Sequence, residues 1–261
     1  FVQDEFVPNS KGYSIRGITE DNGFLYVNTY SGRQKIDLQT GDVYPLEDSI
    51  DWKKTSKRWP ELDVLKDRTG NIWFCGQASR VQCFNPKTGL MKSYQTKRAV
   101  SGRNSSYYEQ NLKLYEDSQN RMWMGTKEGL FYLDTSYQAF IRYNAYGLSE
   151  ELNTSQVYAL LEDSVNQKLW VGTTSGLYQF DYNLRRFTYH YSPEKSSPYY
   201  IPHDFILTIH KDRNENTLWL GTHEGGLIKL NLENGTLKHF TVATGLSDNV
   251  IYAILEDDNG F

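Results

Sequence analysis

Only two cysteines, Cys75 and Cys83, occur in the 261 residues, too few for a disulfide framework. They lie on neighbouring predicted strands in a diagonal register, which favours free thiols over a bridge. Nor does the sequence contain the roughly 18 to 20 consecutive apolar residues that a membrane-spanning helix requires. A signal-peptide layout is missing too, because Phe1 already lies in patterned sequence. Membrane contact is therefore expected only through flanking segments. Charge of one sign is not concentrated anywhere: 28 Lys+Arg are interspersed with 32 Asp+Glu for a net charge of -4. Without a basic block to face a phosphate backbone, nucleic acid is not an expected partner.

Catalytic signatures are equally sparse. The five histidines, His190, His203, His210, His223 and His239, lack the paired spacing of a zinc site. There is no Gly-x-Ser-x-Gly nucleophile elbow and no phosphate-cradling glycine loop. His210 falls in a predicted strand, packed in the core or near an axis, and His223 falls on a hairpin turn, where solvation is the default. No metal and no cofactor is expected.

Aromatic residues and glycine are abundant. The chain has 20 Tyr, 12 Phe, 6 Trp and 20 Gly, a mixture that favours strands and tight turns. These residues recur with a period. Arg121-Met-Trp-Met-Gly-Thr-Lys-Glu-Gly-Leu130, Lys168-Leu-Trp-Val-Gly-Thr-Thr-Ser-Gly-Leu177 and Thr217-Leu-Trp-Leu-Gly-Thr-His-Glu-Gly-Gly226 are close copies, preceded by the divergent Phe24-Leu-Tyr-Val-Asn-Thr29 and Asn71-Ile-Trp-Phe-Cys-Gly76. The anchors Tyr26, Trp73, Trp123, Trp170 and Trp219 stand 47, 50, 47 and 49 residues apart. A four-stranded propeller blade occupies about 40 to 50 residues, so each period reads as one blade.

Four strand signals fill each period. The first strand is an apolar run closed by an acidic turn: Ser14 to Asp21, Leu62 to Asp67, Leu112 to Asp117, Val157 to Asp163, Ile206 to Asp212 and Val250 to Asp257. The second carries the Trp anchor, the third alternates as in Leu177-Tyr-Gln-Phe-Asp181, and the fourth is aromatic as in Phe187-Thr-Tyr-His-Tyr191. A lone meander cannot bury both apolar faces, whereas radial stacking can. The expected fold is all-β, a β-propeller of four-stranded antiparallel blades spanning residues 1–261 as one domain. Blades are predicted near 8–47, 60–96, 108–144, 155–192 and 204–242, followed by the first strand of a sixth. A larger propeller of about seven blades is implied, within the usual range for such folds. Either the chain is a stretch of a longer array or its terminal strands combine to close a blade, with Phe1 to Phe6 at the position of a fourth strand.

The Trp anchors recur inside apolar strands and read as packing between blades rather than as sugar platforms. The turn aspartates lack the dense oxygen spacing of a calcium loop and read as turn caps. At the first-strand positions four before the turn Asp, the charges are Asp63 and Lys113, an arrangement that reads as an ion pair rather than a catalytic couple.

Tyr146-Gly-Leu-Ser149 followed by Val157-Tyr-Ala-Leu-Leu-Glu-Asp163, and Gly245-Leu-Ser-Asp-Asn-Val-Ile-Tyr-Ala-Ile-Leu-Glu-Asp257, each lead toward a Leu-Trp-x-Gly-Thr-x-x-Gly-Leu unit. This pattern resembles the two-component regulator propeller repeat. The match is strong in the third to fifth units and weaker in the first two, where Asn28 replaces the glycine and Cys75-Gly76 replaces Gly-Thr. The resemblance implies the periplasmic sensor region of a Bacteroides-type hybrid two-component histidine kinase anchored in the inner membrane. It also implies detection of glycan-derived oligosaccharides, control of carbohydrate-utilisation genes and a homodimeric receptor, with no enzyme activity in this region. The alternatives are a propeller lyase or glycan-active enzyme, and a non-catalytic dimerisation scaffold.

Ligand contacts are expected where the links between blades gather with the hairpins between second and third strands. Three links are expanded, Glu47 to Glu61, Thr96 to Gln110 and Ser192 to Asp204. They carry the candidate oligosaccharide or small-molecule site residues Trp52, Arg58, Trp59, Arg103, Tyr107, Tyr108, Tyr199, Tyr200 and His203. Aromatic faces cover apolar sugar faces while polar groups supply hydrogen bonds. The alternative is that these aromatics fold back over blade edges.

Overall fold

The structure, a computed structural model, describes residues 15–29, 32–46, 63–75, 80–97, 111–143 and 155–257. Every predicted unit resolves into four strands. The first blade holds β1 (Ile15–Asp21), β2 (Phe24–Thr29), β3 (Gly32–Asp37) and β4 (Val43–Pro45). The second holds β5 (Asp63–Lys66), β6 (Ile72–Cys75), β7 (Arg80–Asn85) and β8 (Leu90–Lys97). The third holds β9 (Asn111–Glu116), β10 (Met122–Thr126), β11 (Gly129–Asp134) and β12 (Ala139–Arg142). The fourth holds β13 (Val157–Asp163), β14 (Lys168–Thr173), β15 (Gly176–Asp181) and β16 (Arg186–Tyr191). The fifth holds β17 (Ile206–Lys211), β18 (Thr217–Thr222), β19 (Leu227–Asn231) and β20 (Leu237–Phe240). The fold is all-β, and the only helical turn among the described residues is a 3-10 turn at Val242–Thr244. Among those residues no helix is long and apolar enough to cross a membrane.

Contacts divide the chain into two units, Phe1–Met124 with Tyr132–Arg142 and Gly125–Phe131 with Tyr143–Phe261. Each has its own apolar packing. In the first, Tyr26, Val64, Ile72 and Phe74 form one cluster. In the second, Trp170, Leu177, Ile201, Ile206, Leu218, Leu220, Ile228 and Leu230 join the fourth blade to the first three strands of the fifth.

The repeated motif residues each have a mechanical role. Trp73 and Trp123 bury their rings and donate their indole N–H groups to Oδ2 of the turn residues Asp67 and Asp117, both at 2.7 Å. The other oxygen, Oδ1, accepts turn amides: Thr69 and Asn71 in the second blade, Gln119 and Arg121 in the third. The Asp therefore caps the turn, as its sequence position suggests, and also ties the turn to the core. Trp219 reaches Asp212 at a longer 3.3 Å. Trp170 has no partner for its buried indole nitrogen among the described residues. The loop lengths account for the difference: six positions separate Asp and Trp in the second and third blades but seven in the fourth and fifth.

Glycine of the Gly-Thr pair lets the next blade approach. A Cβ at Gly172 would stand 2.8 Å from Ile206 Cγ2, and one at Gly221 would stand 2.8 Å from Ile251 Cγ2. The threonine after it is fully buried in the fourth and fifth blades. Thr173 Oγ1 donates to the Gly176 carbonyl and Thr222 Oγ1 to the Gly226 carbonyl, closing each hairpin. Where Asn28 replaces the glycine, its side chain bridges instead to the Asp63 carbonyl of the second blade at 2.9 Å.

Two features depart from the expected pattern. The fourth strands of the second and third blades pair in parallel, with Ala139, Phe140 and Ile141 opposite Gln95, Thr96 and Lys97, so an eight-stranded sheet forms. Isolated blades would leave both of these edges open. Trp73, Tyr94 and Phe140 pack as an aromatic trio, with centroids 5.1 to 6.4 Å apart, that draws the two outer strands together. Residues Val250 to Asp257, read from sequence as a first strand, form no strand ladder among the described residues. They nevertheless dock: the Ile251 N–H donates to the Thr222 carbonyl at 2.9 Å. Arg213 repeats here what Arg68 does between the second and third blades. Arg68 reaches the Glu116 carboxylate through its backbone N–H and the Asp117 carbonyl through Nη1, and Arg213 reaches Glu256 and the Asp257 carbonyl through the same atoms.

Candidate functional site

Six of the nine candidate residues, Trp52, Arg58, Trp59, Arg103, Tyr107 and Tyr108, lie outside the described residues. The remaining three, Tyr199, Tyr200 and His203, belong to the link from β16 to β17. Within the second unit this link meets the hairpin of the fifth blade, as sequence topology predicts. Ile201, fully buried, fixes it to the core. Ser192 and Ile201 add main-chain bonds at 3.1 and 3.0 Å, the former to the Tyr199 carbonyl.

Tyr199 turns back onto the outer strand, with its ring 4.7 Å from Tyr189 and 5.3 Å from Tyr191. Burial first, and then Tyr199 and Tyr189, push the Tyr191 phenol up to about 12, so it remains a neutral hydrogen-bonding group. Tyr200 is half-buried and pairs through its backbone with Ser192. His203 packs its ring directly against Gly225, where an added Cβ would come within 2.4 Å, and its Nδ1 accepts the Phe205 N–H at 3.3 Å.

The same face gathers the other hairpin histidines, a grouping that their scattered positions concealed. His190 stacks on Tyr178 at 4.1 Å and points Nε2 at the Ser175 carbonyl at 2.7 Å. In the next blade His239 makes the equivalent contact to the Gly225 carbonyl. Both contacts require the proton on Nε2. His223, expected to be solvated, instead stacks on Phe205 at 4.9 Å, because the aromatic link residue covers the hairpin. Histidine and aromatic rings thus surround the hairpin tips of the second unit, with the Nε2 groups of His190 and His239 spent on hairpin carbonyls. Among the described residues no three His, Cys, Asp or Glu side chains converge as a metal site.

The other residues singled out in the sequence are accounted for structurally. Lys113 Nζ lies 3.2 Å from the Asp63 carboxylate, which also accepts the Leu114 N–H at 2.8 Å, so the two form an ion pair between blades. His210 sits on β17 with Nε2 2.8 Å from Glu256. Cys75 pairs opposite Val81, and Cys83 opposite Trp73, the diagonal register expected, and no disulfide joins them. Cys75 is buried and Cys83 half-buried, with desolvation first and Asp67 second pushing the Cys83 thiol up to about 12.

Comparison with known proteins places the repeat. Residues 151–175 match the family described as two component regulator propeller. No curated protein sequence matches the chain. Among solved structures it is similar to the extracellular domain of BT4673 from B. thetaiotaomicron, described both as a putative one component and as a putative hybrid two component system. The identities are 20% and 17% and the TM-scores 0.68 and 0.61. These likenesses cover 94% and 95% of this chain but 30% and 38% of those chains, so the chain spans about a third of their length. PorZ, a surface component of the type-IX secretion system of Porphyromonas gingivalis, is similar at 15% identity and TM-score 0.69 over 94% of this chain and 36% of that one. A catalytically inactive virginiamycin B lyase from Staphylococcus aureus is similar at 14% identity and TM-score 0.58 over 89% and 71%. The chain therefore carries a two-component regulator propeller repeat within β-propeller blades, in a fold it shares with extracellular sensor-system domains.

Proposed function

We propose that this chain is part of the extracytoplasmic sensor region of a hybrid two-component histidine kinase. In this reading residues 1–261 are one stretch of a longer propeller array, held in the periplasm by an inner-membrane receptor. The ligand is a glycan-derived oligosaccharide, and binding controls transcription of carbohydrate-utilisation genes. The observation that carries the reading is the two component regulator propeller match at 151–175, which falls on the first two strands of the fourth blade. The most repeated side chains, Trp, Asp and Thr, serve turns and hairpins, and Asp63 and Lys113 hold one another. Of the described link residues, Tyr199 folds back on the outer strand, so Tyr200 and His203 are the ones offered to a ligand in this reading, with the six candidates on the other expanded links.

Signalling in this scheme is a shift between two arrangements of a receptor homodimer. A ligand moves such an equilibrium only through its differential affinity for the two arrangements. The region itself performs no chemistry. A second reading, a propeller lyase, draws on the fold shared with virginiamycin B lyase; a shared fold is a limited warrant for activity. Titration with an oligosaccharide panel, with product analysis in the same tubes, separates the two. Binding with intact recovery supports the sensor, and turnover abolished by one point mutation supports the enzyme. Neither binding nor turnover by any member favours the pure scaffold.

A further inference from the structure

The first unit contains a cleft of about 580 Å³ beside the β1–β2, β5–β6 and β7–β8 turns. Phe24, Lys35, Lys66, Arg68 and Lys87 form its charged and aromatic lining. Two carboxylates also line it, and both are already occupied. Asp67 accepts through Oδ1 from Thr69 and Asn71 and through Oδ2 from Asn71 and Trp73. Asp21 holds Lys66 at 2.6 Å and accepts from Asn22. The acceptors of the cleft therefore face the protein.

The donors do not. Lys35 Nζ rests 3.5 Å above the centre of the Phe24 ring, and neither it nor Lys87 has a carboxylate partner among the described residues. Arg68 uses Nη1 on the Asp117 carbonyl and Asn120 Oδ1, which leaves Nε and Nη2 without a partner among the same residues. A planar guanidinium with two free N–H groups matches the paired oxygens of a carboxylate, sulfate or phosphate. An ammonium held on an aromatic face lacks the counter-ion that an oxyanion would supply.

We infer that this cleft is a binding site for a small oxyanion-bearing ligand, a carboxylate, sulfate or phosphate group on a polar molecule, received by Lys35, Arg68 and Lys87. It does not depend on the sensor reading. Because the lysines are solvated, binding is salt-sensitive and weak.

Calorimetric titration of the whole chain with trigalacturonate, sodium sulfate and maltotriose tests the inference. Trigalacturonate should bind saturably at low salt and weaken on the order of five-fold or more between about 20 mM and about 300 mM NaCl. Maltotriose should not compete. Lys87→Glu, on an exposed turn where the backbone N–H of residue 87, not its side chain, donates to Asn85 Oδ1, should weaken binding roughly ten-fold with an unchanged melting temperature. Lys195→Glu, exposed in the second unit, should leave it unchanged. Competition by sulfate alone assigns recognition to the oxyanion itself, and its failure to compete assigns it to the sugar-borne carboxylate. The inference is overturned if no charged probe binds, if maltotriose binds equally, or if Lys87→Glu binds as the parent does.

Discussion

The indole N–H of Trp123 donates to Oδ2 of Asp117 at 2.7 Å, with the Asp side chain fully buried. Arg121 Nε shares that oxygen at 2.6 Å, and two turn amides take the other. Asp117→Ala would leave all these donors without their acceptor. Unpaired buried polar groups cost about 1–3 kcal/mol each, more for charged ones, so a loss of about 3 kcal/mol or more is expected in urea unfolding. A loss below about 1 kcal/mol would place the anchor elsewhere.

The same bond separates two superficially equal tryptophans. Trp123→Phe strips a partner from a buried carboxylate, whereas Trp170→Phe removes an N–H that has no acceptor among the described residues. Both changes reduce ring volume similarly. Trp123→Phe should therefore be the more destabilising by about 1–2 kcal/mol. Equal losses would mean that packing alone governs both sites.

The blade architecture was legible from sequence because its determinants are local: Trp at a fixed spacing, period-2 strands and Asp or Gly at turns. The ion pair of Asp63 with Lys113 was legible too, since equivalent positions on adjacent first strands must face one another. The parallel pairing of β8 with β12 was not, because it depends on three aromatics from distant segments meeting at one edge. Nor was the grouping of His203, His223 and His239, which only the folding of a link over a hairpin brings together. Val250 to Asp257 carries a strand pattern, but among the described residues it has no ladder partner, so pattern alone did not yield a strand.

Packing between blades predicts strong coupling at Gly172. An added methyl would meet Ile206 Cγ2 at 2.8 Å, inside contact distance. Gly172→Ala should destabilise by about 1–3 kcal/mol, the usual cost of overpacking. In the Ile206→Ala background the same change should cost markedly less, a coupling of about 1 kcal/mol or more in a double-mutant cycle. Additive costs would mean that Ile206 is not what the methyl strikes.

Acid sensitivity follows from the turn carboxylates. Burial alone would raise Asp67, but hydrogen bonds from Thr69, Trp73 and Asn71 outweigh it and hold the group below its usual range. Asp163 and Asp212 are lowered in the same sense, against burial, the former by Lys211 and Asn166 and the latter by Asn214, Trp219 and Glu215. A depressed folded-state value gives stability that is fully present above the unfolded value of about 3.9 and is lost as pH falls through the folded one. Unfolding free energy should be flat with respect to these groups from pH 7 to about 5 and fall steeply below about 4. Asp67→Asn should make that fall shallower, and an unaltered slope would remove Asp67 from the account.

The Cys83 thiol, raised to about 12, should be almost entirely protonated at pH 8 and react slowly with a thiol reagent in the native state. Buried Cys75 should be protected by access alone. Unfolding in urea should release both. Rapid native-state labelling of either residue would contradict the packing of the second blade.

The most direct test of the sensor reading is titration of the purified chain with a panel of glycan-derived oligosaccharides, following heat of binding and analysing the sugars recovered from each cell. The expected result is saturable binding of at least one oligosaccharide, recovered intact, and lost in Tyr200→Ala and His203→Ala while each variant keeps a cooperative unfolding transition. Cleavage of a bound sugar that a single substitution abolishes, or binding that both variants retain in full, would contradict it.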